Sequence, residues 1–312
     1  MKVNLHTHTL YCDGNNSPEE MIISAISAGF DVLGFSGHSY TSYDESYCMS
    51  REQTDAYAAE IRSLAEKYKD RITIWCGLEK DFFADDDADG EIFDYAIGSV
   101  HAFFKEHDMR NYEEIRHTIP EGIIPVLPKD HEGRGGYYVY ADWTEKPMKW
   151  AVSHLYAGDS LALAEDYFAH EARIADMPDV QIVGHFDLLT KFEERLAADG
   201  HPPLFDVKHP RYLNAARSAI VKLTDAGKIF EINTGGMAKA YRTSPYPSLS
   251  LLKMIHEAGG KIMINSDCHA ADKLDFGFET AVKLAAEAGF TVLTIPEPTG
   301  GQKEVEICSV SC

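Results

Sequence analysis

Histidines and carboxylates recur along this chain at positions suited to metal chemistry. His6 and His8 stand two residues apart, and Asp267 and His269 repeat that spacing. In an extended strand, residues i and i+2 point to one face, so each pair can offer two ligand atoms to one ion. His38 closes Ser36-Gly37-His38, and Glu79 closes Gly77-Leu78-Glu79. His101 follows Gly98-Ser99-Val100, His185 lies in Gly184-His185-Phe186-Asp187, and Asp13 follows the first histidine pair. Neutral imidazole and carboxylate are ligands for zinc, manganese or iron. These nine groups exceed what one ion needs, so two or three divalent ions (Mn, Zn or Fe) are expected.

The elements that must position them are short β-branched or aromatic runs alternating with longer helical patterns. Strands are expected at residues 3–6, 32–36, 72–76, 95–99, 180–183, 229–232, 261–265 and 291–295. Ser17-Pro18-Glu19-Glu20 starts a helix, with serine as the cap and acids at the positive end of the dipole. Ser50 and Gln53 form a capping box for a second helix reaching about residue 68, and further helices are expected over 160–175, 211–226, 248–258 and 279–288. Such alternation implies a parallel barrel or a doubly wound sheet. Six of the fourteen histidines fall at the C-terminal ends of these strands, where parallel α/β folds gather their catalytic groups.

Residues 104–150 interrupt the alternation with Gly133, Gly135, Gly136, several prolines and the run Tyr137-Tyr138-Val139-Tyr140. They are expected to form an inserted loop region near the site, within one domain spanning 1–296. Residues 297–312 are expected as a C-terminal tail, loose or ending in a short strand. Asp85-Asp86-Asp87-Ala88-Asp89-Gly90 resembles half of a calcium loop, but Ala96 stands where that loop needs glutamate, so a solvated turn is expected. His107, His117, His131, His170, His201, His209 and His256 lie away from strand ends and are expected at the surface.

The chain has 312 residues, 45% hydrophobic, with a formal net charge of −21. That charge repels polyanions, which argues against nucleic acid or an anionic membrane as partner while leaving a small anionic substrate possible. No leader or membrane-spanning run is visible, and the six cysteines lack a regular framework, so reduced thiols and a cytoplasmic location are expected. The oligomeric state is not legible.

The ordered set of strand-end motifs resembles the polymerase-and-histidinol-phosphatase (PHP) superfamily of metal hydrolases, from residue 3 to about 295. The stretch Glu231-Ile232-Asn233-Thr234-Gly235-Gly236, then Tyr246-Pro247 and Ser266-Asp267-Cys268-His269, resembles its stand-alone histidinol phosphatases. The resemblance implies an α/β fold, a distorted (β/α)7 TIM-like barrel, so one of the eight strands, the last, is expected outside it. It also implies a trinuclear centre. His6, His8 and Asp267 would hold one ion, and Glu79 would bridge it to a second bound by His101 and His185. Asp13, His38 and His269 would hold the third.

The expected chemistry is hydrolysis of a small phosphate monoester, with L-histidinol phosphate favoured, by metal-activated hydroxide attack on phosphorus. Glu79, Asp13, His38 and Asp267 are the expected catalytic groups. Lys191, Lys239 and Arg242 lie just past strand ends and are the expected phosphate-binding cations, Arg242 foremost because a guanidinium can grip phosphate with two parallel hydrogen bonds. A cationic, aromatic leaving group would suit Tyr43, Asp44, Glu45 or the Tyr137 to Tyr140 cluster. The alternatives are a PHP-type phosphodiesterase or nuclease, and a non-catalytic metal or phospho-ligand sensor.

Overall fold

The computed structural model describes residues 1–84, 92–128, 134–298 and 300–307. The turn expected at Asp85 to Gly90 and the surface position expected for His131 lie outside the described residues. The chain opens with β1 (Val3–Asn4), α1 (Pro18–Ser27), β2 (Val32–His38), α2 (Arg51–Tyr68), β3 (Thr73–Asp81) and β4 (Tyr95–Ser99). The Ser50 capping box forms as expected, and Ser17, the expected cap of α1, makes one as well. Ser17 Oγ accepts from the Glu20 N–H while Glu20 Oε2 accepts from the Ser17 N–H, and Ser50 and Gln53 repeat the exchange.

Next come β5 (Ala102–Asp108), α3 (Tyr112–Ile115), β6 (Ile123–Val126), β7 (Arg134–Tyr140), α4 (Glu145–Leu155), α5 (Ser160–Glu171) and β8 (Ile182–Val183). The chain continues through α6 (Glu193–Ala198), α7 (Pro210–Asp225), β9 (Ile229–Asn233), α8 (Gly235–Ala238), α9 (Leu249–Glu257), β10 (Lys261–Asn265), α10 (Phe278–Ala288), β11 (Val292–Pro296) and β12 (Gln302–Glu306).

Seven strands form one parallel sheet in the order β1-β2-β3-β4-β8-β9-β10. The sheet curls until its edges meet. Thr7 bridges Cys268 in the parallel sense, and the His8 N–H donates to Cys268 O at 2.9 Å. The expected (β/α)7 barrel is therefore present, nearly closed. As expected, the last strand candidate lies outside it: β11 pairs antiparallel with β12. Leu5, Tyr95, Ile97, Ile182, Ile229 and Met263 pack in one buried cluster, and Ile295 and Val305 of the terminal hairpin join it. Gly34 and Gly77 make room for Tyr95, since a Cβ at Gly34 would lie 2.3 Å from its hydroxyl and one at Gly77 2.3 Å from its ring.

Residues 104–150 are more regular than a loop. β5, β7 and β6 form a separate antiparallel sheet, and α4 follows. The glycines that disguise β7 are what allow it to pair. A Cβ on Gly135 would sit 2.2 Å from Val126 O, and one on Gly136 2.3 Å from Lys105 O. Among the described residues no helix is long and apolar enough to cross a membrane.

Candidate metal centre

The parallel register places His38 and Glu79 opposite each other on adjacent strands. Glu79 is fully buried, and its two oxygens divide five imidazoles between them. Oε2 lies 3.2 Å from His6 Nε2, 3.5 Å from His8 Nε2 and 3.0 Å from His38 Nδ1. Oε1 lies 3.4 Å from His101 Nε2 and 3.2 Å from His185 Nε2, and accepts from Ser99 Oγ at 2.6 Å.

The closure at Thr7 and Cys268 brings the two spaced pairs together. Asp267 Oδ1 is 3.6 Å from His6 Nε2 and 3.2 Å from His8 Nε2. Asp13 reaches across the mouth, 3.5 Å from His38 Nε2 and 3.0 Å from His269 Nε2. Asp267 itself has a φ of 49°, a left-handed conformation that aspartate tolerates better than most residues and that strained functional positions often retain.

Donor atoms within 4.8 Å of one another fall into three groups: His6, His8 and Asp267; His38, Glu79 and His101; and His8, Asp13, His38 and His269. The first matches the expected ligand set for one ion. In the second, His38 stands where His185 was expected, although His185 also faces Glu79. His8 and His38 each belong to two groups, which makes the three positions contiguous.

These residues fit divalent cations. His6 Nε2, His8 Nε2, His38 Nδ1 and Glu79 Oε2 are buried and lack a hydrogen-bond partner among the described residues, yet all converge. Leaving such atoms unmatched costs about 1–3 kcal/mol each, so the arrangement makes sense only if something positive sits between them. Burial disfavours charge on His101, but Glu79 and Asp81 outweigh it and lift its pKa to about 10. His8 goes the other way, to about 3, through burial and then the neighbouring His269 and His38. Metal ions and protons compete for the same nitrogen lone pairs, so the carboxylates that favour the proton also favour a cation.

A second layer aims the ligands. Glu231 Oε1 accepts from His6 Nδ1 at 2.7 Å, which leaves Nε2 as the ligand atom. Asp81 Oδ2 does the same for His101 Nδ1 at 3.1 Å, and Tyr43 Oη donates to the other Asp81 oxygen at 3.0 Å. Asn233 Nδ2 donates to Asp267 Oδ2 at 3.2 Å. From sequence Tyr43 is expected in a different role, at the leaving group, and Glu231, Asp81 and Asn233 have no expected role as site residues. The i, i+2 rule could have found Asp81, two residues beyond Glu79 on the same strand.

The PHP domain family model matches residues 4–235. The chain belongs to the PHP domain family. Among curated proteins it is 24% identical to the "Probable histidinol-phosphatase" of Schizosaccharomyces pombe, over 95% of this chain and 90% of that one. It is 26% identical to the "Probable histidinol-phosphatase" of Deinococcus radiodurans, covering 93% and 94% respectively. Its fold is that of the histidinol phosphate phosphatase from Lactococcus lactis, solved with zinc, L-histidinol and phosphate. The TM-score is 0.62 at 19% identity, over 96% of this chain and 98% of that one.

In this PHP chain a pocket of about 740 Å³, counted to its open mouth, lies directly over the ligands. Lys191 and Lys239 line it, as do Tyr140, Asp142 and Trp143 from the segment after β5, so that segment does border the site. Lys191 Nζ donates to Asp142 O at 2.8 Å, and Lys239 Nζ lies 3.5 Å from His269 Nε2. Burial works against charge on Asp142, but Lys191, His101 and His185 hold its carboxyl below the usual range.

Arg242 is placed differently from the expectation. It does not line the pocket but lies behind its wall, only 8% exposed. Its guanidinium stacks 4.1 Å over the Tyr246 ring, donates to Thr190 Oγ1 at 2.8 Å and pairs with Asp187 at 4.0 Å. Tyr43 and Asp44 also stand back from the pocket. Tyr43 serves Asp81, and Asp44 Oδ2 accepts from Tyr140 Oη at 2.9 Å. His170, expected at the surface, is half-buried against Phe82 and Phe83.

Proposed function

We propose that this chain is a metal-dependent phosphatase that hydrolyses a small phosphate monoester, L-histidinol phosphate, to its alcohol and phosphate. The observation that carries this is Glu79, buried with five imidazole nitrogens around its two oxygens beneath a pocket that holds two lysines. His6, His8, Asp13, His38, Glu79, His101, His185, Asp267 and His269 would hold two or three divalent ions. Bound there, such ions activate water and neutralise phosphate oxygens. Zinc and L-histidinol in the Lactococcus lactis relative support the same assignment.

The chain's own groups do the rest. Lys191 and Lys239 add positive charge at the pocket wall, where the phosphate oxygens would lie. Asp142 and Asp81 fix Lys191 and His101 by hydrogen bonds, so little reorganisation is needed when substrate arrives. Among the described residues Cys12, Cys48, Cys76 and Cys268 form no disulfide, which suits a cytoplasmic setting.

The test is phosphate release by purified protein from L-histidinol phosphate, p-nitrophenyl phosphate, bis-p-nitrophenyl phosphate and single-stranded DNA, with elemental analysis beside it. Fastest release from L-histidinol phosphate, abolished by chelation and restored by manganese, zinc or iron, supports the reading. Preference for the diester or DNA would establish the phosphodiesterase alternative. Metal-replete protein inactive on all four would leave the sensor.

A further inference from the structure

A row of aromatic rings leads away from the ligands along one wall of the pocket. The Tyr47 ring meets His38 edge-on at 5.0 Å between centroids. Tyr140 follows at 6.3 Å from Tyr47, and Trp143 at 6.0 Å from Tyr140. All three line the cavity, and Trp143 is 43% exposed. An exposed tryptophan gains little from folding, so its place at a cavity mouth calls for a use.

Its surroundings define the ligand it fits. Asp142, the preceding residue, lines the same pocket, and Asp44 Oδ2 accepts from the Tyr140 hydroxyl. The Trp143 side chain is held from behind, since a Cβ at Gly122 would meet its Cβ and Cγ at 3.0 Å. A held indole face beside a carboxylate attracts a flat, positively charged group through the ring quadrupole and the acid together. Asp142 also pairs with Lys191 at 3.4 Å, so it links the cation that would meet the phosphate to the ring that would meet the leaving group.

We propose that Trp143, with Tyr140 and Asp142 beside it, is the subsite that selects the leaving group, taking a planar cationic ring such as imidazolium. This rests on the phosphatase reading and adds which residues confer its specificity. The subsite is built from the segment that interrupts the barrel, so its specificity is separable from the metal chemistry of the barrel itself.

The test compares the wild type with Trp143→Ala and Trp143→Phe on two substrates, L-histidinol phosphate and glycerol 2-phosphate. KM for L-histidinol phosphate should rise about tenfold in Trp143→Ala and recover most of the way in Trp143→Phe, while KM for glycerol 2-phosphate stays within about twofold. Equal rises for both substrates, or no rise, would overturn the proposal. Binding of L-histidinol alone, followed by calorimetry, gives a readout independent of turnover. If the wild type hydrolyses no monoester, the phosphatase reading fails. The subsite then stands or falls on whether Trp143→Ala weakens L-histidinol binding.

Discussion

His6 Nδ1 donates to Glu231 Oε1 at 2.7 Å, and neither residue is accessible to solvent. The same carboxylate accepts from Asn265 Nδ2 at 2.9 Å, the His185 N–H at 3.0 Å and Asn233 Nδ2 at 2.8 Å. All four of its acceptor sites face donors, so only an ionised carboxylate fits. In Glu231→Gln the new amide N–H2 must point at one of these donors, and His6 loses the partner that fixes its tautomer. Metal affinity should fall about 10- to 100-fold, with a stability loss of about 1–3 kcal/mol. Competition with a chromophoric chelator measures the first and urea unfolding the second. Unchanged metal affinity would show that Glu231 does not aim His6.

Gly235 is required by its neighbour, not by a turn. A Cβ there would lie 2.9 Å from Asp267 Oδ2, 3.0 Å from Asp267 Cβ and 3.1 Å from Asn233 Oδ1. Asp267 is already in a left-handed conformation and has little freedom to retreat. Gly235→Ala should therefore displace the ligand carboxylate while leaving the barrel folded, at a cost of roughly 1–3 kcal/mol. Elemental analysis should find less bound metal per chain, with an unchanged far-ultraviolet circular dichroism spectrum. Full metal content in the variant would contradict the tight fit.

The metal centre was legible from sequence because the alternation of strands and helices told which ends would cluster. The spacing of two worked for His6 and His8, which share one group, but both pairs lie past the ends of β1 and β10, and the left-handed turn at Asp267 puts it in a different group from His269. Residues whose role depends on direction were less legible. Glu231 and Asp81 obey the same period, but an acid at a strand end can as easily face solvent, and only the packed barrel turns them toward His6 and His101. The β5-β7-β6 sheet was hidden because Gly135 and Gly136 lower strand propensity while permitting the close pairing. Arg242 was misplaced for a related reason, since position past a strand end does not say whether a side chain enters the pocket or packs behind it.

That distinction can be measured. Arg242 and Asp187 are both buried, and removing the guanidinium strands a carboxylate that burial already pushes toward the neutral form. Arg242→Ala should cost roughly 3 kcal/mol in urea unfolding. Lys191→Ala should shift the unfolding midpoint less, but lower kcat/KM on a phosphate monoester by about 100-fold. Reversed effects would return Arg242 to the phosphate.

Glu193 gives stability a pH dependence away from the metals. Its oxygens accept from the Leu204 N–H at 3.1 and 3.0 Å, yet burial dominates and lifts its pKa from 4.5 to about 7. Between those values the folded chain keeps a proton that the unfolded chain has released. Folding stability contributed by this group is thus complete below pH 4.5, declines as pH rises toward 7, and is level above that. Glu193→Gln carries a neutral amide at every pH and should remove this decline. Urea midpoints taken at pH 5 and pH 8 should converge more closely in the variant than in the wild type, the difference between the two proteins isolating this carboxyl from the histidines. Parallel pH profiles would mean that Glu193 is already ionised throughout that window.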